Sequence, residues 1–333
     1  MILIFDEAVA LGTGPPTLVS VCLRWSRISR SVPRYWSLLV IRDKFSTQKV
    51  KDALDMAKGR FETIKLYNLF ANDLIRLGRI LQRASPAVKT LYYETTECSS
   101  IVALASLRLK PESLIVRNED PRGYPIPSDF AALWPILGPT LRSLSFHQLP
   151  SFVDNWRQYA SLFGRLTSLT ITGFRFRGVC LLHHLTMIEE IILDFKHDLF
   201  DRDESHIPRP DISLPSLRVF KLRHVPCPAE MSSPTIKIHA PMLRTFHLDS
   251  TSADLWLLAF SARGPPTALV DFRVDRPNRS AVSLYNILPF LCDTIESFVL
   301  TSVTHELDPL LRNIEAGLLL PRRKHLEFTF HDE

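Results

Sequence analysis

A six-residue phrase, Leu-x-x-Leu-x-Leu in its fullest form, returns along most of this chain and limits its fold more than any other feature. It reads FETIKL (61–66), VKTLYY (88–93), LRSLSF (141–146), LTSLTI (166–171), IEEIIL (188–193), LRVFKL (217–222), LRTFHL (243–248), LVDFRV (269–274), IESFVL (295–300) and RKHLEF (323–328). A further copy, PESLIV (111–116), lacks the first apolar residue. The middle apolar residues are Ile64, Leu91, Leu114, Leu144, Leu169, Ile191, Phe220, Phe246, Phe272, Phe298 and Leu326. Their gaps are 27, 23, 30, 25, 22, 29, 26, 26, 26 and 28 residues, a period near 26. Each anchor and the residue two later alternate with mostly polar neighbours, which is the period of a strand with one buried face.

Between the phrases lie stretches with apolar residues at three- and four-residue spacing, predicting helices over 73–84, 129–137, 155–166, 253–262, 281–291 and 307–319. Asp154, Ser252 and Ser280 stand where N-caps belong. Pro135 and Pro309 predict short or kinked helices. One strand and one helix cannot bury their own apolar faces, whereas stacked copies can. The expected fold class is α/β, a solenoid with a parallel sheet inside and helices outside.

This pattern resembles the leucine-rich repeat family over about residues 61–330. It departs from the family where an Asn usually follows the last strand Leu by three residues. That place holds Leu69, Leu149, Phe174, Val225 and Val303, so an apolar spine is expected in place of an Asn ladder. The segment 196–216 carries no helix pattern and reads as a charged loop.

Residues 1–60 are built differently. They hold ten Lys/Arg against five Asp/Glu, while residues 61–333 hold thirty of each. On a helical wheel of residues 18–32, Leu18, Val21, Cys22, Trp25, Ile28 and Val32 share one arc, and Arg24, Arg27 and Arg30 share another. Pro33 ends this amphipathic helix, and Trp36 stands just before an apolar, strand-like run.

Val21, Cys22 and Trp25, followed by Pro33, Trp36 and Leu39, resemble the second half of an F-box over residues 2–41. Of the first half only Ile4 and Phe5 match; the Leu-Pro-x-Glu opening is missing, so the F-box reads as N-terminally truncated. The domain plan is then a truncated F-box-like helical segment (1–45), a connector (46–60) and a leucine-rich-repeat-like solenoid of about eleven repeats (61–333). The resemblance implies a substrate-recognition subunit of an SCF-type cullin–RING E3 ubiquitin ligase. The F-box would dock the Skp-type adaptor and the repeats would bind a protein substrate. It places adaptor contact at Ile4, Phe5, Leu18, Val21, Cys22 and Trp25. The alternative is a stand-alone leucine-rich-repeat interaction scaffold whose N-terminal helices only cap the solenoid.

Positions −1, +1 and +3 from each anchor point away from the core and form columns across the strands. Lys221, Arg223, His247, Asp249, Asp271, Arg273 and Asp275 make a charged patch of both signs in neighbouring copies, where strands sit about 4.8 Å apart. Two readings stand side by side: a self-paired ladder on a solvated face, and a polar surface for a substrate segment. Tyr67 and Tyr92, toward the other end, are candidate aromatic anchors.

Composition and motifs exclude several other classes. The chain is 46% hydrophobic and 23% charged, as in a globular protein. It has no apolar run of 18 or more residues, so no transmembrane helix and no membrane partner are expected. The body is neutral, which argues against nucleic acid. Cys22, Cys98, Cys180, Cys227 and Cys292 form no CxxC pair; reduced thiols in the cytoplasm or nucleus are expected. GTGPPT (12–17) lacks the Gly-Lys-Ser/Thr end of a phosphate loop. The adjacent His183 and His184 diverge too far on a helix to share a metal, and DRDES (201–205) lacks the Gly turn of a calcium loop. RRKH (322–325) reads as a solvated basic end. No nucleophile, acid–base pair, metal site or cofactor motif is found, so the chain reads as a non-enzyme without cofactors.

Overall fold

A computed structural model of the chain describes residues 37–43, 45–58, 61–84, 88–118, 139–147, 163–174, 181–195, 211–225, 237–250, 266–275, 294–303 and 308–330. The chain divides into two compact units, Met1–Arg142 and Ser143–Glu333. The described residues form a mixed α/β structure of parallel strands with few helices.

In the first unit, β1 (Leu38–Arg42), β2 (Thr63–Tyr67), β3 (Thr90–Thr95) and β4 (Ser113–Asn118) lie side by side in chain order. Every pairing is parallel and puts anchor beside anchor: Leu39 with Ile64, Ile64 with Leu91, Leu91 with Leu114. These four side chains are buried, as are Ile41, Leu66, Tyr93 and Val116 two residues on. Leu39 thus extends the anchor series by one copy, 25 residues before Ile64. Its strand is the apolar run expected after Trp36, now placed within the array.

Residues 46–60, read from sequence as a connector, contain helix α1 (Thr47–Ala57). The Ser46 side chain caps it by accepting from the Lys49 amide, and Lys58 closes it in a left-handed conformation. Val50, Leu54 and Ala57 form its buried stripe. Helix α2 (Ala71–Ala84) lies where a helix is predicted and buries Leu74, Leu77, Ile80 and Leu81. The chain then forms a 3-10 helix, Cys98–Leu107, which the sequence reading did not anticipate. Ile101, Leu104 and Leu107 are its buried apolar residues. Their spacing of three matches three residues per turn and evades a search for the 3.6-residue period.

In the second unit, β5 (Ser143–His147), β6 (Ser168–Phe174), β7 (Glu190–Phe195), β9 (Val219–Val225), β11 (Thr245–Ser250), β12 (Asp271–Asp275), β13 (Ser297–Val303) and β14 (His325–Phe330) follow one another in a parallel sheet. The expected anchors face one another from Leu144 to Leu326 without a slip. Phe220, Phe246, Phe272 and Phe298 stack in a ladder with centroids 5.8, 5.9 and 5.6 Å apart. Leu326, in the last copy, is only half-buried. The first place of that copy holds Arg323, whose guanidinium donates to the carbonyls of Leu320 and Glu315.

A backbone device repeats with the phrase. The carbonyl two residues before most anchors accepts from two successive amides of the next copy: Ser37 from Glu62 and Thr63, Glu62 from Lys89 and Thr90, Arg218 from Arg244 and Thr245, Val270 from Glu296 and Ser297. The first amide of each pair lies one residue before its strand, and the second belongs to the strand's first residue. One acceptor serving both explains why the turn into each strand keeps the same shape.

The layer behind the strands is less uniform than expected. Helix α3 (Asp308–Glu315) starts at Pro309's first turn, where a missing amide costs nothing, and buries Leu310, Leu311 and Ile314. Ahead of β9 and β11, however, stand two short strands, β8 (Asp211–Ser213) and β10 (Lys237–His239), paired in parallel with Ile212 beside Ile238. The charged-loop reading of 196–216 is therefore corrected at 211–213. ISLPSL and IHAPML carry the same I-x-x-P-x-L spacing, and each places its Ile eight residues before a Phe anchor. The helices expected over 129–137, 253–262 and 281–291 lie outside the described residues, as does 155–166 apart from its end, where Phe163 and Leu166 are buried.

The expected apolar spine is borne out at Leu69, which is buried. In the next copy a polar knot is found instead. The Tyr93 hydroxyl donates to the Leu69 carbonyl at 2.8 Å and lies against the Ser100 hydroxyl. Thr95 Oγ1 accepts from the Glu97 amide at 2.9 Å, and Ser100 Oγ donates to the Glu97 carbonyl at 2.6 Å. Thr95 and Ser100 are buried, and these bonds give their hydroxyls partners.

Candidate functional site

The face opposite the anchors carries the polar columns. On the second unit's sheet, the strand register sets Ile192, Lys221, His247 and Arg273 in one row and Asp249 beside Asp275 in another. Because the strands run parallel and in register, side chains 24 to 30 residues apart become direct neighbours.

Six of the seven residues singled out from sequence line one hollow of about 230 Å³: Lys221, Arg223, His247, Asp249, Arg273 and Asp275, over Leu222. The seventh, Asp271, stands beside it and holds His247, its Oδ2 lying 3.0 Å from His247 Nε2. Arg273 Nε donates to both oxygens of Asp275 at 3.0 Å. Asp275 also accepts from the Thr301 hydroxyl at 2.7 Å. That hydrogen bond to Asp275 raises Arg273 above its ordinary value, against a smaller opposing effect of burial; the charges of Asp275, Glu327 and Asp271 add to the rise.

One member was not found from the sequence. His224 Nδ1 lies 2.9 Å from Asp194 Oδ1, and its Nε2 lies 3.9 Å from Asp249 Oδ2. Strict alternation would point position +4 inward, away from these carboxylates. A bulge changes this. Against β11, Leu222 and Val225 pair with Leu248 and Ser250, leaving two residues of β9 opposite one. His224 takes the left-handed conformation there, with φ 50°. The same offset holds Asn68 (φ 51°) and Gly173 (φ 77°) in other copies. Asn, Gly and His all tolerate that region better than most residues. Their recurrence four residues after an anchor was the readable signal.

The arrangement is partly a self-paired ladder, as one sequence reading had it. Asp194, Asp271 and Asp275 each have a histidine or arginine partner, and Asp249 lies 3.9 Å from His224. Lys221 and Arg223 do not: among the described residues neither is within ion-pair distance of a carboxylate.

The first unit carries the two expected tyrosines. Arg42 sits 5.3 Å over the Tyr67 ring, and Tyr67 lies 5.5 Å from Tyr92. The Tyr92 hydroxyl bonds the Glu94 carboxylate. Burial, then Glu94 as bond partner and charge, pushes this phenol up to about 12. The two rings stand side by side on the open face, with Leu38 and Val40 exposed on the same face of β1. His183 is exposed and His184 half-buried, so the pair points different ways. Burial, aided by the neighbouring His183, lowers the pKa of His184.

The expected adaptor-contact residues Ile4, Phe5, Leu18, Val21, Cys22 and Trp25 lie outside the described residues. No helix among the described residues is long and apolar enough to cross a membrane. No family model matches the chain, and no curated protein matches its sequence.

Proposed function

We propose that the chain is the substrate-recognition subunit of an SCF-type cullin–RING ubiquitin ligase, built as a leucine-rich-repeat-like solenoid behind an F-box-like segment. The observation that carries this reading is the repeated strand array with an open, charged face, in a chain whose first 41 residues carry the F-box pattern Val21, Cys22, Trp25, Pro33, Trp36, Leu39. In this role the N-terminal segment binds a Skp-type adaptor in the cytoplasm or nucleus. The repeats hold a protein substrate, and the chain itself performs no chemistry. It raises the effective concentration of substrate lysines near the ubiquitin-loaded enzyme.

The test is co-purification with the host's Skp-type adaptor, using the chain as it stands and a Val21→Ala, Trp25→Ala double variant. A complex lost in the double variant supports the receptor. A folded chain that captures no adaptor sinks it.

One observation favours a second reading, a stand-alone interaction scaffold. Leu39, part of the F-box pattern, is also the buried anchor of β1. The segment before it then serves as a cap on the array, and the adaptor experiment separates the two.

A further inference from the structure

Lys221 and Arg223 alternate on β9, about 7 Å apart along the strand, and both line the hollow. Three carboxylates of the patch have hydrogen-bond partners, Asp194 in His224, Asp271 in His247 and Asp275 in Arg273 and Thr301, while Asp249 lies 3.9 Å from His224. Lys221 and Arg223 are thus the cations of this patch with no carboxylate partner among the described residues. Any counter-charge for them comes from outside these strands.

The size of the hollow limits that complement. A site that buries a free small molecule usually offers about 300 Å³ or more, and this one offers about 230 Å³ on an open sheet face. It suits one side chain of a larger partner. Asp249 and Asp275 line it beside Lys221, Arg223 and Arg273, so its fixed charges leave a net positive hollow. A carboxylate can take Lys221 and Arg223 as its counter-charges.

We propose that this hollow takes one Asp or Glu side chain of an extended partner segment, with Lys221 and Arg223 as its counter-charges. The proposal rests on the reading of the array as a partner-binding surface, and it needs nothing from the adaptor contact.

The test is selection of a random displayed peptide library on the full chain, followed by affinities of a synthetic copy of the enriched peptide. Enriched peptides carry an Asp or Glu at one position. Replacing that residue by Gln weakens binding about tenfold. A Lys221→Glu, Arg223→Glu variant turns the selection toward Lys and Arg. A Lys221→Gln, Arg223→Gln variant loses the acidic preference without reversing it, with an unchanged circular-dichroism spectrum in both cases. Failure to enrich any peptide, enrichment without an acidic position, or an acidic preference that survives both variants overturns the proposal. Adaptor capture without acid selection removes this inference and leaves the ligase reading intact. Acid selection without adaptor capture does the reverse.

Discussion

His224 Nδ1 rests 2.9 Å from Asp194 Oδ1, a contact between residues thirty apart in the chain. It exists because His224 occupies a left-handed bulge on β9. The two side chains are 41% and 24% exposed, so the pair itself contributes little, about 1 kcal/mol or less. Backbone conformation is the larger effect. His224→Gly is expected to retain the fold with a change of about 1 kcal/mol or less. His224→Val, with a branched side chain forced to φ 50°, is expected to lose about 1–2 kcal/mol more. Urea denaturation of both variants checks this; equal stabilities would show that the bulge does not require a permissive residue.

Phe246 sits between Phe220 and Phe272 in the aromatic ladder and is 2% exposed. Phe246→Ala removes contacts on both sides and opens a cavity, for an expected loss of about 3–5 kcal/mol. Phe246→Leu keeps most of the volume and is expected to cost less than half as much. Thermal melts of the two variants give the comparison, and a Leu variant as unstable as Ala would refute the cavity argument.

Gly78 faces the 3-10 helix from the middle of α2. A Cβ at that position would lie 2.2 Å from the Ser106 carbonyl oxygen and 2.8 Å from its carbon. At an open helix site, Gly→Ala stabilises by about 1 kcal/mol. Here the sign is expected to reverse, with Gly78→Ala destabilising by about 1–3 kcal/mol through overpacking. A denaturation midpoint above that of the wild type would show that the two helices separate readily.

Tyr92 makes stability depend on alkaline pH. Its phenol ionises at about 12 in the folded chain, against 10.0 ordinarily. Below pH 10 the folded and unfolded states hold the same proton. Between about 10 and 12 the unfolded chain has released it and the folded chain has not, so stability falls as pH rises through this window. Tyr92→Phe is expected to flatten that fall. It should also remove one late-titrating phenol from the ultraviolet difference spectrum. An identical alkaline profile in the variant would contradict the assignment.

Much of this architecture can be read directly from residue order. The anchors, their period and their mutual register all follow from one buried face repeated every 26 residues or so, because a one-residue slip would turn each apolar set outward. The charged patch was legible for the same reason: once anchors align, the residues beside them align as well. Leu39 escaped the anchor list because its strand lies inside the F-box-like pattern. The 3-10 helix escaped because its apolar spacing is three. β8 and β10 escaped because three-residue strands carry too little alternation to detect.

Sequence by itself therefore determined which residues are core and which face outward, since hydrophobic periodicity is a local property of the chain. Tertiary structure decided which charges satisfy one another. Asp271 is held by His247 and Asp275 by Arg273, while Lys221 and Arg223 find no carboxylate among the described residues. Those outcomes depend on side-chain reach across strands and on the bulge that brings His224 to Asp194. Backbone geometry at that bulge depends on pairing with neighbours from distant copies, and no local pattern carries it.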